Sequence, residues 1–509
     1  MMEQLIVKAG QLSLADLKKI YTTDCQLSLD EASKSAVLAA NKVVNDYVTS
    51  GKMAYGINTG FGKLANVMIP EQKLSQLQRN LVLSHACGVG ALIDSPTVRM
   101  ILLLKINALM QGFSGVSWEL IERLTTFFNT PIYPCIPVKG SVGASGDLAP
   151  LAHVALAVIG EGDVLYQDKV QSAKAVLQKV GLNSFSLSPK EGLALLNGTQ
   201  VSTALLLRAM IRAEQLIDAT IVAGALSMSA TQADLHPLDH RIHDLRGLTG
   251  QTEIANILSL LLGKDSKENK GLTTVQDPYS LRCQPQVLGA CVMQMRYVSS
   301  VLHAEINAVT DNPLVFAKTH EIISGGNFHA QAIALAADSL ATAIATIATI
   351  AERRIALLLD PQFSRLPAFL VEASGENSGF MIAQVTAAAL TSENKVLAHP
   401  ASVDSIPTSM NQEDHVSMAT FAARRLDEMI DNSMTVVAIE LLAACQGLDL
   451  LKQKPATLHL KKFYDKIRAV VPFYDVDRYF APDITKVKGM IEMREFALPK
   501  QVSNRCLVF

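Results

Sequence analysis

The sequence predicts a mainly α protein, a bundle of long helices with a smaller N-terminal region spanning residues 1–110 and a long-helix region spanning 111–509. Three observations carry that expectation. Thr199 to Ser229, Gln286 to Val309, Asn327 to Leu359 and Gly379 to Leu397 are long helical stretches with few interior Pro or Gly. Alternating strand patterns are scarce, with Pro131-Ile132-Tyr133 and Leu314-Val315-Phe316 as short candidates beside turns. A chain of 509 residues that is 49% hydrophobic and 18% charged can bury a large core in more than one lobe.

At the start, Met1 to Lys8 has neither a basic beginning nor a long apolar stretch, so no signal peptide is expected and the cytoplasm follows by default. The polar cassette Tyr55-Gly56-Ile57-Asn58-Thr59-Gly60-Phe61-Gly62 reads as a loop. Ser141 to Asp147 is a glycine turn, with Asp147 as the expected cap of an apolar helix that has Pro150 in its first turn and ends at Gly160. His236, His240 and His243 fall at i, i+4 and i+7, a spacing that can hold zinc. Pro237, Asp239, Arg241 and Asp244 favour a solvated helix start instead, and no metal is expected.

The apolar run from Leu340 to Ala351 falls short of the roughly 20 residues that span a bilayer. Its small residues suit a helix buried among helices. Lys452 to Lys462 reads as a solvated helix face. With a net charge of −2 and dispersed cations, the chain lacks an electrostatic footprint for nucleic acid, and no membrane partner is expected. Seven scattered cysteines (Cys25, Cys87, Cys135, Cys283, Cys291, Cys445, Cys506) with no CxxC pair argue for reduced thiols.

Reactive chemistry is concentrated in Ala144-Ser145-Gly146. If the Gly146 amide nitrogen attacks the Ala144 carbonyl carbon, a five-membered ring closes with loss of water. Glycine suits the compressed attacking position because it has no Cβ. Loss of the Ser145 hydroxyl as a second water then gives an exocyclic methylidene, and the product is the electrophile 4-methylideneimidazole-5-one (MIO). The tripeptide alone is weak, since at roughly 7% usage per residue any given tripeptide occurs about 0.2 times in such a chain. Ala373-Ser374-Gly375 repeats it without the same flanks and reads as a plain loop.

The frame around the first copy, Gly140-Ser141-Val142-Gly143-Ala144-Ser145-Gly146-Asp147-Leu148-Ala149-Pro150-Leu151-Ala152-His153, resembles the signature of the aromatic amino-acid ammonia-lyases. Stretches from Ala54 to Gly62, Ser84 to Gly88, Glu191 to Gln200, Val275 to Gln286, Asp311 to Phe316, Ser324 to Ala330, Asn377 to Lys395 and Asn411 to Met418 are similar to the same family. Coverage is nearly complete and thins at the ends. The tail Asn504 to Phe509 carries no usable signature.

The resemblance implies non-oxidative removal of ammonia from an amino acid through MIO formed from Ala144, Ser145 and Gly146, with no external cofactor. It also implies a homotetramer whose sites draw on more than one subunit, with the N-terminal region carrying part of each site. Tyr55 matches the position of the catalytic base, and Tyr279 a second tyrosine that handles protons or positions substrate. Arg282 matches the carboxylate-binding arginine, whose planar guanidinium can make two hydrogen bonds. Asn197 and Gln276 match amide positions near the electrophile and substrate, Phe328 an aromatic lining residue, and Asn312 in Asp311-Asn312-Pro313 reads as a turn.

Ser84, His85 and Glu413 bear on substrate choice. In relatives acting on phenylalanine or tyrosine the Ser84-His85 pair is typically Phe-Leu or His-Leu, and a glutamine stands at the glutamate position. A polar histidine and an anionic glutamate suit the donor and acceptor nitrogens of an imidazole, so the expected reaction is L-histidine to trans-urocanate and ammonia, the first step of histidine degradation. Two other readings share these motifs: an aminomutase that returns ammonia to the β-carbon, and a helical relative that no longer cyclises. Whether the substrate amine or its ring attacks the electrophile stays open.

Overall fold

The computed structural model describes residues 3–60, 66–263 and 276–498. Phe61 and Gly62 of the first cassette, Val275, and the tail from Asn504 to Phe509 with Cys506 lie outside the described residues. The fold is mainly α. The expected long helices are Gln200–Ala230, Gln284–Glu305, Gln331–Leu359 and Met381–Leu397. Both strand candidates contribute residues to short strands, Tyr133–Pro134 and Leu314–Phe316.

The chain divides into two compact units, each assembled from separate segments. One comprises Met1–Arg208, Ser300–Asp338 and Pro400–Arg424; the other comprises Ala209–Ser299, Ser339–His399 and Arg425–Phe509. Residue 110, where a division was expected, ends the helix Ser95–Met110 inside the first unit.

Within the first unit, three helices pack pairwise: Leu74–His85, Leu148–Val158 and Glu191–Leu196. Their ends converge on the site. The first ends at His85, the second begins after Ala144–Asp147, and the third ends before Asn197. Strand Val89–Leu92 pairs antiparallel with Pro137–Lys139, which draws the chain after His85 alongside the approach to Ser141. The loop bearing Tyr55 is anchored by Ala54 and Ile57, which join Ala40, Val43, Val44 and Val315 in a small apolar core. Burying an aliphatic side chain such as Ile57 contributes about 1.5–3 kcal/mol, which fixes the loop where hydrogen bonds alone would not.

In the second unit the helix Leu426–Leu450 is buried along most of its length and packs on Met381–Leu397, Leu458–Val470 and Ala481–Glu492. Arg354 and Glu440 are fully buried and pair through two contacts, Nε to Oε1 at 2.5 Å and Nη2 to Oε2 at 2.8 Å. The Ser227 hydroxyl donates to the same carboxylate at 2.7 Å. Removing one partner of such a pair costs about 3–5 kcal/mol because the other charge stays buried.

Leu340 to Ala351 proves to be the middle of a longer helix. Gln331–Leu359 and the stretch Ala419–Leu450 are long and apolar enough to cross a membrane by length and composition, yet 67% and 83% of their most apolar windows are buried inside the protein. Their hydropathy is accounted for by core packing.

Candidate active site

The first unit contains a cavity of about 940 Å³ lined by Tyr55, Ser84, His85, Ala144, Ser145, Gly146, Asn197 and Glu413 among others. Residues that span more than 350 positions in the chain thus meet in one place.

The Ala144-Ser145-Gly146 loop is held under compression. Gly146 has φ +71°, and a Cβ added there would lie 2.2 Å from the Gly198 carbonyl oxygen and 2.9 Å from the Gly198 nitrogen. Only glycine fits that approach. The Gly198 carbonyl accepts the Asp147 N–H at 2.7 Å, locking the two segments together. Gly143, at φ +68°, is equally confined: its carbonyl accepts the Ser417 hydroxyl at 2.9 Å, and a Cβ would meet that hydroxyl. The helix Leu148–Val158 starts directly after, so its unpaired N–H groups and positive dipole end face the loop.

Asp147 departs from expectation. It makes no side-chain cap to its own helix. Its carboxylate reaches across the chain, accepting the Ser202 N–H at 2.8 Å and hydroxyl at 2.9 Å through one oxygen, and the Thr420 hydroxyl at 2.7 Å through the other. It therefore caps the long helix Gln200–Ala230 from a distance and ties the loop to it. Burial pushes its carboxyl pKa up against the pull of these donors.

His85 lies at the end of its helix with Nδ1 2.8 Å from the Leu81 carbonyl oxygen and 3.0 Å from Ser84 Oγ. A carbonyl can only accept, so Nδ1 carries the proton and Nε2 keeps its lone pair in the neutral ring. Burial lowers the His85 pKa from its ordinary 6.5, while the Leu81 carbonyl and the charge of Glu413 pull it up. Glu413 receives the Ser145 hydroxyl on Oε1 at 3.0 Å and the hydroxyls of Thr408 and Ser409 on Oε2 at 2.6 and 2.9 Å. The donor and acceptor expected from this pair become two acceptors while His85 is neutral. Glu413 caps no helix; its backbone forms a bridge with Thr408.

The Tyr55 loop is braced from within. Asn58 Oδ1 accepts the Ala54 N–H at 2.8 Å, and its amide donates to the Lys52 carbonyl at 2.8 Å. Asn197 Oδ1 is buried with no hydrogen-bond partner among the described residues. His153 was not singled out from the sequence: its Nε2 accepts the Gly88 N–H at 3.1 Å and links the chain after His85 to the helix after Gly146.

Other expected site residues do not line this cavity. Gln276, Tyr279 and Arg282 belong to the second unit, where Tyr279 is 71% exposed and lines a separate cavity of about 520 Å³ with Cys283, Arg353 and Lys395. The Arg282 guanidinium stacks 4.7 Å from the Tyr279 ring centre, and its Nε is buried without a partner among the described residues. Phe328, in the first unit, lies in the turn before helix Gln331–Leu359. Asn312 serves that turn: its Oδ1 accepts the Gly325 N–H at 2.8 Å.

Among the described residues no cluster of three or more metal-binding side chains occurs. His236 pairs with Asp234 at 2.6 Å, and His243 is buried with both ring nitrogens engaged, by the Pro237 carbonyl and Gln251. The described cysteines are free, and Cys87 lines the first cavity.

The model of the family described as aromatic amino acid lyase matches residues 12–469. The chain belongs to that family. A histidine ammonia-lyase of Legionella pneumophila is 55% identical over 500 residues, covering 98% of this chain and 99% of its own. The crystal structure of histidine ammonia-lyase from Trypanosoma cruzi superimposes with a TM-score of 0.90 at 39% identity, covering 99% of this chain and 96% of that one. A tyrosine aminomutase from Streptomyces globisporus superimposes with a TM-score of 0.91 at 32% identity, covering 100% of this family member and 99% of the other.

Proposed function

We propose that this chain is a carbon-nitrogen lyase that converts L-histidine to trans-urocanate and ammonia, the first step of histidine degradation. The observation that carries the reading is the wall shared by Ser145, Glu413 and His85. A reactive centre at residue 145 sits hydrogen-bonded to one of two groups that accept N–H bonds, and an imidazole ring is a small aromatic with N–H to give. The relatives that bear the name histidine ammonia-lyase over nearly their whole length support the same substrate.

The electrophile in this reading is MIO built from Ala144, Ser145 and Gly146, with no external cofactor. The residues fit it: Gly146 is pressed where a Cβ could not go, a helix N-terminus faces the loop, and Asn197 presents a buried oxygen with no partner among the described residues. Once formed, the group would supply an electrophilic carbon open to the substrate amine, whose nitrogen it would turn into a better leaving group, or to the substrate ring.

The remaining work falls to side chains. Tyr55 takes the β-proton at its phenolic oxygen. Glu413 Oε1 accepts the single N–H of a neutral substrate ring and His85 Nε2 the second N–H of an imidazolium, with Ser84 and the Leu81 carbonyl holding the His85 tautomer. Asn197 and Gln276 orient the reacting end, Arg282 grips the carboxylate through two hydrogen bonds, Phe328 lines the ring, and Tyr279 shares proton handling. Because Gln276, Tyr279, Arg282 and Phe328 do not line the cavity that holds Tyr55 and Ser145, we place them at the site of another copy, in a homotetramer. Its location in this reading is the cytoplasm, which suits the free thiols.

Product analysis with L-histidine, L-phenylalanine and L-tyrosine side by side tests the assignment. Urocanate from histidine, with little turnover of the other two, is the expected result. A β-amino acid product would replace the lyase with a mutase, an activity named for the similar tyrosine aminomutase.

A further inference from the structure

We infer that Lys105 is a positioning residue for closure of the Ala144–Gly146 ring and for Asn197, acting through the carbonyl groups of Ala194 and Asn197. This rests on the electrophile proposed above.

Lys105 sits in the middle of helix Ser95–Met110, between Leu104 and Ile106, and is among the largest fully buried side chains of the protein. An ammonium in that position is costly unless its hydrogens are placed well. Its hydrogens go to the Asn197 carbonyl at 2.6 Å and the Ala194 carbonyl at 3.1 Å. Both carbonyls stand at the C-terminal end of helix Glu191–Leu196, where backbone oxygens lack helical partners and carry the negative end of the dipole. A cation is the natural occupant there.

The consequence lies one residue further on. Gly198, whose preceding carbonyl Lys105 holds, presents the oxygen and nitrogen that would lie 2.2 and 2.9 Å from a Gly146 Cβ, and its carbonyl anchors the Asp147 N–H. Lys105 thus fixes the wall against which the tripeptide is pressed. Burial, helped by the charge of Lys190, which is itself paired with Asp311 at 2.7 Å, lowers its pKa to about 7 against the upward pull of Asp311 and Asp147. The geometry is what confines the loop; the charge sets how firmly the two carbonyls are gripped.

Closure joins the Gly146 nitrogen to the Ala144 carbonyl carbon. The first water takes the Ala144 oxygen with the amide hydrogens of Gly146 and Ser145. The second takes the Ser145 hydroxyl with its α-hydrogen. Both steps are dehydrations and need no oxidant.

The test compares wild type, Lys105→Met and Lys105→Gln by intact-protein mass, circular dichroism and thermal melting. Wild type should be two waters lighter than its sequence. Lys105→Met should keep the helical spectrum while its two-waters-light fraction falls roughly tenfold or more, the effect of about 1.4 kcal/mol on a barrier. Lys105→Gln, which keeps an N–H donor, should lie between. A lowered melting point with full dehydration in Lys105→Met would overturn the inference, as would collapse of the fold in both variants, because either result makes Lys105 purely structural. A wild type of unaltered mass would instead remove the electrophile itself.

Discussion

Ala144-Ser145-Gly146 and Ala373-Ser374-Gly375 are the same tripeptide in two environments. Both glycines take positive φ, +71° and +96°. A Cβ on Gly146 would collide with Gly198, whereas one on Gly375 would meet nothing within 4 Å. The Ser145 hydroxyl donates to a carboxylate in a cavity, while Ser374 is exposed and its hydroxyl donates to the carbonyls of Val371 and Ala368. Each loop has an aspartate nearby. Asp147 is buried across two distant hydroxyls and an amide, whereas exposed Asp477 accepts the N–H groups of Ser378 and Gly379. The difference teaches that composition supplies the atoms for ring closure and confinement supplies the reason for it. A backbone free to relax has no cause to bring an amide nitrogen onto the carbonyl two residues back.

The contrast can be broken most severely at the serines. Ser145→Ala should lower turnover by at least about three orders of magnitude, equivalent to roughly 4 kcal/mol of barrier, with the melting point little changed. Ser374→Ala should leave kcat and KM within about twofold. Steady-state kinetics on both variants decides it, and appreciable activity in Ser145→Ala would sink the proposed electrophile.

The glycines come next. Gly146→Ala should destabilise the fold by about 1–3 kcal/mol from strain and overpacking and abolish the two-water mass deficit. Gly375→Ala should cost about 1 kcal/mol from its positive φ alone and retain the deficit. Thermal melts and intact masses of the pair measure both effects; equal behaviour would erase the distinction between the loops.

The aspartates should separate more gently. Asp147→Ala strips the buried Ser202 amide and the Thr420 hydroxyl of their acceptor, while the Ser202 hydroxyl keeps the Thr199 carbonyl, and should cost about 1–3 kcal/mol. Asp477→Ala removes an exposed acceptor of two turn N–H groups and should cost about 1 kcal/mol. Denaturant midpoints rank them, and the reverse order would contradict the roles assigned here.

The smallest effect concerns His85, which has no counterpart beside the second loop. Its folded pKa lies below the ordinary 6.5 because burial outweighs the Leu81 carbonyl and Glu413. As pH falls through 6.5 the unfolded chain takes up the proton first, so the group erodes stability from there down to its folded value, below which the loss levels off. Ring-nitrogen NMR, with the signal assigned by its absence in His85→Gln, should show a midpoint below 6.5. Glu413→Gln should lower that midpoint further and weaken histidine use; a rise would contradict the electrostatic coupling.

The long helices were legible because few Pro or Gly interrupt them, but their ends were not. Gln284–Glu305 stops before Val309 because the chain turns there, with the Asn307 side chain bonded to the backbone of Leu12. Gln331–Leu359 starts after Asn327 because Gly325–Phe328 is a turn, closed by the His329 N–H on the Gly326 carbonyl. Leu426–Leu450 escaped notice, since Asp427, Glu428 and Asp431 mask the apolar pattern at its start. At the site, local cassettes revealed residue types but not partners. Asp147 reads as a cap of the next helix because the sequence shows its neighbours, whereas Ser202 and Thr420 lie 55 and 273 residues away. Lys105 did leave a signal, a charge inside the run Ile101 to Met110, but the carbonyls that explain it are 89 and 92 residues distant.

The hydrogen bond from Ser145 to Glu413 has a consequence for maturation. The oxygen that donates it is the one expelled in the second dehydration, so that step strips Glu413 Oε1 of its occupant while Thr408 and Ser409 still hold Oε2. On the reading proposed here, an unclosed chain is blocked twice, lacking an electrophile and keeping its own serine in the seat meant for the substrate ring. The reaction that arms the enzyme also vacates its binding place, which gives a newly made chain the character of a proenzyme without any segment to cleave.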